Sequence, residues 1–244
     1  MEPRRKNHLR NCRRAWRRIQ FSLAASCSFA LLAILPAQLN AQQPPTGLVA
    51  PGNAAVTGFS GASPPIQIAA GADPGENTLI DLNGPSLRVV DLQHMGGSPT
   101  AQFVGAPKPF TFSAAAVGQV FGVALDDDAP PNIYVAASSA YGLPIVVPGP
   151  DGQPQHTKVG APNAAYMRGL WGPQGGPGSI WKIDGTTGKV SLFANVMLDD
   201  RANSGAALGG LAFDADSKSL FVADRETGYR LRRRAFEGEP AAHH

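Results

Sequence analysis

Two predicted turns of this 244-residue chain contain acidic side chains that could bind a metal ion. Asp126 and Asp128 precede Asn132 in one turn, Asp214 opens the other, and Asp224 ends the following strand. Ca²⁺ takes about six to eight oxygen ligands from carboxylates and carbonyls. The same residue types also form ordinary polar turns, because their side chains accept hydrogen bonds from nearby amides. The candidate metal ligands are therefore Asp126, Asp128, Asp214 and Asp224, with calcium as the one cofactor they could hold and a structural turn as the alternative.

Three aromatic residues mark a second candidate site in the segment 138–178. Tyr141, Tyr166 and Trp171 lie among stretches rich in Gly and Pro. A connection of this length inside a compact domain is uncommon and is often functional. Exposed rings can stack on a sugar or pack against a peptide. We therefore expect 138–178 to be a binding loop, with Tyr141, Tyr166 and Trp171 as its ligand contacts.

No motif of a known catalytic class follows residue 41. The sequence there has no Gly-x-Ser-x-Gly elbow, no phosphate-binding loop, no His-Glu-x-x-His and no paired-cysteine zinc spacing. Histidines stand at positions 94, 156, 243 and 244, and none is spaced to share a metal on one strand face. The sequence therefore nominates no catalytic residue and favours a binding role over an enzymatic one.

The first 41 residues predict a secretory signal. Eight of the first 18 residues are basic against one acid, and an apolar run, 21–35, follows before Pro36. This run is shorter than the roughly 20 apolar residues of a membrane-spanning helix, and Ala41 is a small residue at a suitable cleavage point. We expect cleavage after Ala41 and export to the periplasm or the extracellular space. A retained N-terminal anchor is the alternative, and an uncleaved leader is the one membrane contact we predict.

Removal of the signal reverses the charge of the chain. The whole sequence has 21 basic and 18 acidic residues, whereas the part after residue 41 has 13 and 17, a net charge near −4. Nucleic-acid binding needs clustered Lys and Arg against phosphates, and 42–229 contains no such cluster. Both cysteines, Cys12 and Cys27, belong to the signal. Nucleic acid is therefore excluded as a partner, and the exported part must be stable without disulfides.

Composition and alternation predict an all-β protein built from hairpins. The chain has 28 Gly and 22 Pro, and no stretch after residue 42 keeps the 3.6-residue apolar period of a long helix. Two inner hairpins resemble each other, since each has a strand ending at Asp, a polar turn and an aliphatic-aromatic-Val-Ala strand. Two outer hairpins of a different type also resemble each other, since in each an alternating strand ends at Asp and a segment with Gly reverses the chain. In chain order, the predicted hairpins span 86–104 (outer), 120–137 (inner), 179–194 (outer) and 208–224 (inner).

An inner and an outer hairpin together make a four-stranded antiparallel unit, the building block of a β-propeller. The phrase Gly209-Gly-Leu-Ala-Phe-Asp-Ala-Asp-Ser-Lys-Ser-Leu-Phe-Val-Ala-Asp224 resembles the six-bladed propellers of the NHL and senescence-marker (gluconolactonase-like) superfamily. The resemblance implies a partial β-propeller of about two blades. It also implies a divalent metal on the channel axis held by carboxylate and Asn ligands, with Asp224 at the acidic end of the phrase. Gly209-Gly210 stands where the family often has Asn-Gly, so this chain lacks one oxygen ligand.

The expected organisation has four parts: a signal (1–41), a disordered lead-in (42–85), a partial propeller with its long loop (86–229) and an irregular basic tail (230–244). Two blades do not close a ring, so we hypothesise a truncated or frame-shifted version of a longer propeller. The expected function is that of an exported binding or scaffold protein with a protein or cell-envelope ligand. The alternatives are a metal-dependent, lactonase-like hydrolase that uses Asp224 and an acidic turn, and a truncated product without function.

Overall fold

The computed structural model describes residues 47–63, 70–71, 79–100, 102–142, 144–228 and 230–234. The predicted signal and the end of the predicted tail, 235–244, lie outside these residues. Within them the protein consists of antiparallel β-sheets with two four-residue helices, which confirms the predicted all-β class. No helix of the described residues has the length and apolar character needed to cross a membrane.

The elements alternate strands with short turns, and the helices fall in the first half of the described chain. The elements up to residue 137 are β1 (Asn53–Thr57), β2 (Ala62–Ser63), β3 (Leu79–Ile80), β4 (Pro85–Asp91), α1 (Gln102–Gly105), β5 (Phe110–Ser113), α2 (Ala114–Val117), β6 (Val120–Leu125) and β7 (Ile133–Ala137). Those that follow are β8 (Ile145–Pro148), β9 (Pro154–His156), β10 (Ala165–Tyr166), β11 (Ser179–Ile183), β12 (Val190–Asn195), β13 (Met197–Leu198), β14 (Arg201–Ala202), β15 (Leu208–Asp214), β16 (Ser219–Asp224) and β17 (Arg230–Arg234).

The central sheet has the strand order β12-β11-β7-β6 and is antiparallel throughout. It joins the hairpins predicted at 120–137 and 179–194 into one four-stranded sheet, so the prediction that an inner and an outer hairpin combine is confirmed here. Alternation sends odd and even positions to opposite faces. Both faces are apolar, with Ile133 and Val135 on one and Tyr134 and Ala136 on the other, and all four are buried. The central sheet must therefore be covered on both sides.

The first sheet, of order β1-β4-β5, corrects two predictions. The lead-in 42–85 was expected to be disordered, but its residues Asn53–Thr57 form β1, because backbone pairing with β4 supplies order that composition does not reveal. The second strand of the hairpin predicted at 86–104 is also wrong, since Gln102–Gly105 form α1. The strand that follows β4 and pairs with it is β5, where Phe110 and Phe112 carry the alternation typical of a strand.

The third sheet, of order β15-β16-β17, contains the inner hairpin predicted at 208–224. It also corrects the prediction that 230–244 is an irregular tail, because Arg230–Arg234 pair along β16 as β17. A guanidinium group placed over an aromatic ring is attracted by the face of the ring. The guanidinium carbon of Arg232 lies 6.0 Å from the centroid of the Phe221 ring, and its Nε donates to Ser219 Oγ at 3.0 Å.

The three sheets stack through two apolar clusters. One cluster joins the first sheet to the central sheet, and the other joins the central sheet to the third. The buried members of the first cluster include Leu87, Val89, Val120, Ile133, Val135, Trp181 and Ile183. Those of the second are Tyr134, Ala136, Ile180, Ala194, Leu208, Leu220 and Val222.

Gly122 explains how closely the central and third sheets approach. A Cβ added at this residue would lie 2.3 Å from the carbonyl oxygen of Gly209 and 3.1 Å from the amide nitrogen of Leu211. Real side chains do not tolerate such distances, so the backbones of β6 and β15 meet where no side chain intervenes. Glycine is required here by close approach.

Candidate functional site

The connection 138–178 folds onto one end of the sheets, and we call it the cap. The upper end is the end at which β6 and β15 begin and β7 and β16 finish. The cap contains a small antiparallel sheet of order β10-β8-β9. The short apolar run Ile145-Val-Val147 is typical of a strand, and the structure has β8 there. The two neighbouring strands were missed, because Pro154–His156 and Ala165–Tyr166 lack a long apolar pattern.

A buried cluster anchors the cap to the upper end. Met167, Leu170 and Trp171 of the cap are 7%, 1% and 5% exposed. They pack with apolar residues of the upper end, namely Ile80, Ala114, Ala137 and Ala207. Hydrogen bonds to backbone carbonyls of the cap reinforce the contact, since Gln119 N donates to Leu170 O at 2.9 Å and the Trp181 side chain donates through Nε1 to Trp171 O at 3.0 Å. The cap is therefore held by the sheets on which it lies.

The three aromatic residues predicted as ligand contacts have different environments. Trp171 is buried, and its indole N–H has no hydrogen-bond partner among the residues that the structure describes. Tyr166 is half-buried, lies edge-on to Trp171 with ring centroids 5.3 Å apart, and donates its hydroxyl proton to Ser204 O. Burial, with a smaller effect from the charge of Glu226, raises the pKa of Tyr166. Both residues thus fix the cap in place.

Tyr141 alone of the three presents much of its ring to solvent, at 39% exposed. Its ring lies 5.7 Å from that of Phe59, which is 46% exposed. Phe59 belongs to the segment predicted as a disordered lead-in, so sequence reasoning missed it. The preceding strand β1 brings it to the upper end, where Ser60 N donates to the buried Gln119 Oε1 at 3.1 Å. Tyr141 and Phe59 together form what we call the aromatic pair.

The acidic turn at Asp126 lies at the opposite, lower end and forms a closed hydrogen-bond network. Oδ1 of Asp126 accepts from the amide of Asn132 at 2.7 Å and from that of Asp128 at 3.3 Å. Its Oδ2 accepts from Asn132 Nδ2 at 2.7 Å and from the Tyr134 hydroxyl at 3.3 Å. Burial, and then the charge of Asp126, raises the pKa of Tyr134. Asp128 Oδ2 accepts from Asn132 Nδ2 at 2.8 Å. Each carboxylate in this turn accepts hydrogen bonds from protein donors.

Asp214 and Asp224 lie at opposite ends of the third sheet. Asp214 at the lower end accepts from the amide of Asp216 at 3.1 Å, and a hydrogen bond from Ser217 lowers its pKa. Asp224 at the upper end is 5% exposed. The length of β16 separates the two, roughly 16 Å at about 3.3 Å per residue. The four predicted metal ligands are therefore not brought together.

Asp224 borders a cleft of about 120 Å³ at the upper end. Its Oδ1 accepts from Asn203 Nδ2 at 2.8 Å and from the amide of Glu226 at 3.1 Å, and its Oδ2 accepts from Thr227 Oγ1 at 2.8 Å. Sequence reasoning did not single out Asn203 or Glu226, because neither stands in a motif. The cleft is lined by Val196, Met197, Asp199, Arg201, Ala202, Asn203, Asp224, Glu226 and Thr227. Across the described residues, no three His, Cys, Asp or Glu side chains are grouped to hold a metal ion.

Comparison with known proteins gives no relative from which a site could be transferred. No protein-family model, no curated protein and no solved structure matches the chain.

Proposed function

We propose that this chain is an exported binding protein of β-propeller type that contacts a cell-envelope ligand or another protein through its upper end. The observation that carries the proposal is the anchored cap. A connection rich in Gly and Pro has Met167, Leu170 and Trp171 buried against the sheets, and Tyr141 is exposed near the start of the same connection. Loops held by a rigid scaffold are a common place for binding residues.

The stacking of the sheets supports the propeller part of the proposal. The central sheet is a four-stranded antiparallel meander with both faces covered by neighbouring sheets. Propeller blades have this form and pack face to face around an axis. The first and third sheets lie on either side of it, each as three strands of the same antiparallel kind.

The aromatic pair supports a ligand with an apolar or ring-shaped surface. Tyr141 and Phe59 are both more than a third exposed, although apolar rings of this size are commonly buried. Tyrosine also offers a hydroxyl at the rim, so one side chain can stack and hydrogen-bond together. Sugar units of envelope polysaccharides and side chains of a partner protein both have suitable surfaces.

The hydrolase alternative has weaker support from the geometry. Asp224, the residue on which it depends, accepts hydrogen bonds from Asn203, Glu226 and Thr227 with both of its oxygens. Asn203 turns its amide N–H₂ towards Asp224, and its Oδ1 accepts from the amide of Ala207 at 2.9 Å. These contacts use the groups that a metal would need.

Binding is tested by cosedimentation of the purified full chain with peptidoglycan sacculi and by crosslinking to envelope proteins in cells. We expect capture by one of the two, and a fall of about tenfold in affinity when Tyr141 and Phe59 are both changed to Ala, which corresponds to about 1.4 kcal/mol. Leu192→Ala is the control, because Leu192 is similarly exposed at 37% but lies on β12, outside the cap.

The same preparation separates binding from hydrolysis. Calcium content and turnover of simple lactones are measured for the wild type and for Asp224→Ala. Lactone turnover that Asp224→Ala abolishes would overturn the binding proposal in favour of the hydrolase. If changing both Tyr141 and Phe59 to Ala leaves capture unaffected, the proposal that the ligand binds at the upper end is wrong.

A further inference from the structure

The third sheet matches the central sheet position by position across three strands. In the central sheet, Ala124 of β6 pairs with Tyr134 of β7, which pairs with Lys182 of β11. In the third sheet, Ala212 pairs with Phe221, which pairs with Arg232. The match includes an interaction, since Lys182 Nζ lies 5.7 Å from the Tyr134 ring centroid and Arg232 Cζ lies 6.0 Å from that of Phe221.

The matched face is covered in the central sheet and uncovered in the third. Tyr134 and Ala136 are 1% and 0% exposed, because the third sheet packs on them. Their counterparts Phe221 and Ala223 are half-buried and exposed, and Ala212 is exposed as well. We call this uncovered surface the open back face; a shallow apolar groove there is lined by Gly210, Leu211, Ala212, Phe221, Val222 and Ala223. Its residues match those of the face of the central sheet on which the third sheet packs.

The first sheet carries the other half of such a contact. In the central sheet, Val135 pairs with Trp181 on the face that packs against the first sheet, and both are buried. In the first sheet, Val56 pairs with Arg88 at the matching positions, and both are only half-buried. We call this surface, with the exposed Thr111 opposite Arg88, the open front face. No sheet of the described residues precedes it.

We propose that two copies of this chain associate head to tail, with the open back face of one copy against the open front face of the other. The contact continues an arrangement that the chain already makes twice, from first sheet to central sheet and from central sheet to third. Two such contacts related by a rotation close a ring of two copies, and a rotation that does not close gives a filament. The proposal is independent of the ligand at the upper end.

The symmetric alternative, in which two open back faces meet each other, would reverse the order in which the three sheets stack. The head-to-tail contact keeps that order. It resembles the central-to-third contact, which already accommodates Lys182 on the covered face.

The proposal is tested by the solution mass of the purified full chain, measured by light scattering after size-exclusion chromatography. We expect a dimer, or larger assemblies, and a return to the monomer mass for Ala212→Glu, which places a charge on the open back face at an exposed position. Leu192→Glu, at 37% exposure on β12, is the matched control and should leave the mass unchanged. A monomeric wild type, or an assembly that Ala212→Glu leaves intact, would overturn the proposal.

A mixing experiment distinguishes head-to-tail from symmetric contact. Val56→Asp on the open front face should also give monomers, and Thr111→Arg replaces it if Val56→Asp does not fold. Mixed with Ala212→Glu, either front-face variant should form a dimer, because each partner retains the face that the other lacks. Two variants that stay monomeric together would count against the head-to-tail contact.

Discussion

The central sheet and the third sheet carry one pattern of residues on matching strands, but the central sheet is buried on both faces and the third on one. Gly122 and Gly210 each stand two residues before a matched alanine of this pattern, and Ala136 and Ala223 each stand two residues after a matched aromatic ring. A Cβ at Gly122 would meet backbone at 2.3 Å, whereas one at Gly210 would meet nothing within 4 Å. The comparison teaches that the neighbour, and not the residue type, decides what each position tolerates. Matched substitutions in the two sheets therefore separate the pattern from its environment.

The largest difference is expected for glutamate at the matched alanines. Ala136→Glu would bury a charge at a site with 0% exposure, and we expect a loss of about 3–5 kcal/mol or failure to fold. Ala223→Glu lies at an exposed position and should change the stability of dilute protein by about 0.5 kcal/mol or less. Urea unfolding of both variants measures the difference. Equal losses would contradict the assignment of covered and open faces.

A smaller difference is expected for valine at the matched glycines. Gly122→Val must push β6 away from β15, and overpacking of this kind costs about 1–3 kcal/mol. Gly210→Val has open space and exchanges a flexible residue for one that favours strands, so its stability should be equal or slightly higher. Thermal melts of dilute protein followed by circular dichroism compare the two. A destabilising Gly210→Val would show that the open back face is occupied.

The matched aspartates at the lower end come next. Asp126→Ala leaves the amide and Nδ2 of Asn132 and the Tyr134 hydroxyl without their acceptor in a buried turn, which should cost about 1–3 kcal/mol. Asp214→Ala removes acceptors from a more exposed turn and should cost less. Urea midpoints test the order of the two losses. The reverse order would mean that the network around Asp126 is not structural.

Acid should weaken the two sheets alike, because these turns meet solvent in both. Backbone hydrogen bonding from Thr187 lowers the pKa of Asp184 at the end of β11, and the Ser217 hydroxyl lowers that of Asp214. A lowered pKa in the folded state stabilises the fold above the unfolded value of about 3.9. This stabilisation is lost as the pH falls through the folded value. The urea midpoint should therefore drop below about pH 4, and less steeply for Asp184→Asn. A urea midpoint that does not change with pH in this range would contradict the stabilisation of the fold by these aspartates.

The smallest effect is expected for the cations over the rings. Lys182→Met and Arg232→Met should each cost about 0.5–1 kcal/mol, the range for cation–π contacts at exposed sites. Each cation lies about 6 Å from a ring centroid at the matching position, and Arg232→Met should cost the more of the two because it also removes the hydrogen bond from Arg232 Nε to Ser219 Oγ. Chemical unfolding measures both. A cost near zero for Arg232 alone would show that β17 contributes little to the third sheet.

Local alternation made the hairpins and the all-β class predictable. The strands at 120–137, 179–194 and 208–224 each have an apolar face and a turn with Asp, and these signals survive in the folded chain. β1 was missed because Ala54 and Ala55 carry little apolar character. Its order comes from pairing with β4, which composition does not encode. β17 was missed because four arginines in five residues leave no alternation of apolar and polar side chains, and its order comes from pairing along β16.

The candidate site was less predictable than the fold. The segment 138–178 was identified from its many Gly and Pro residues. Which of its aromatic side chains are buried and which are exposed depends on tertiary packing, which the sequence pattern does not show. Trp171 lies in the core. The neighbour of Tyr141 is Phe59, which follows β1 and is distant from Tyr141 in sequence. The acidic residues were nominated for their oxygens, whereas hydrogen-bond donors several residues away determine what those oxygens bind.

The cap enters the central sheet between β7 and β11, which remain hydrogen-bonded neighbours on either side of it. The entropic cost of closing a loop between two paired strands grows only with the logarithm of the loop length, so each doubling of the length costs about 0.6 kcal/mol. The sheet therefore sets almost no limit on how long the loop becomes or what it contains. A scaffold built this way can exchange its recognition surface by insertion or replacement at one point, while the strands that carry it keep their register.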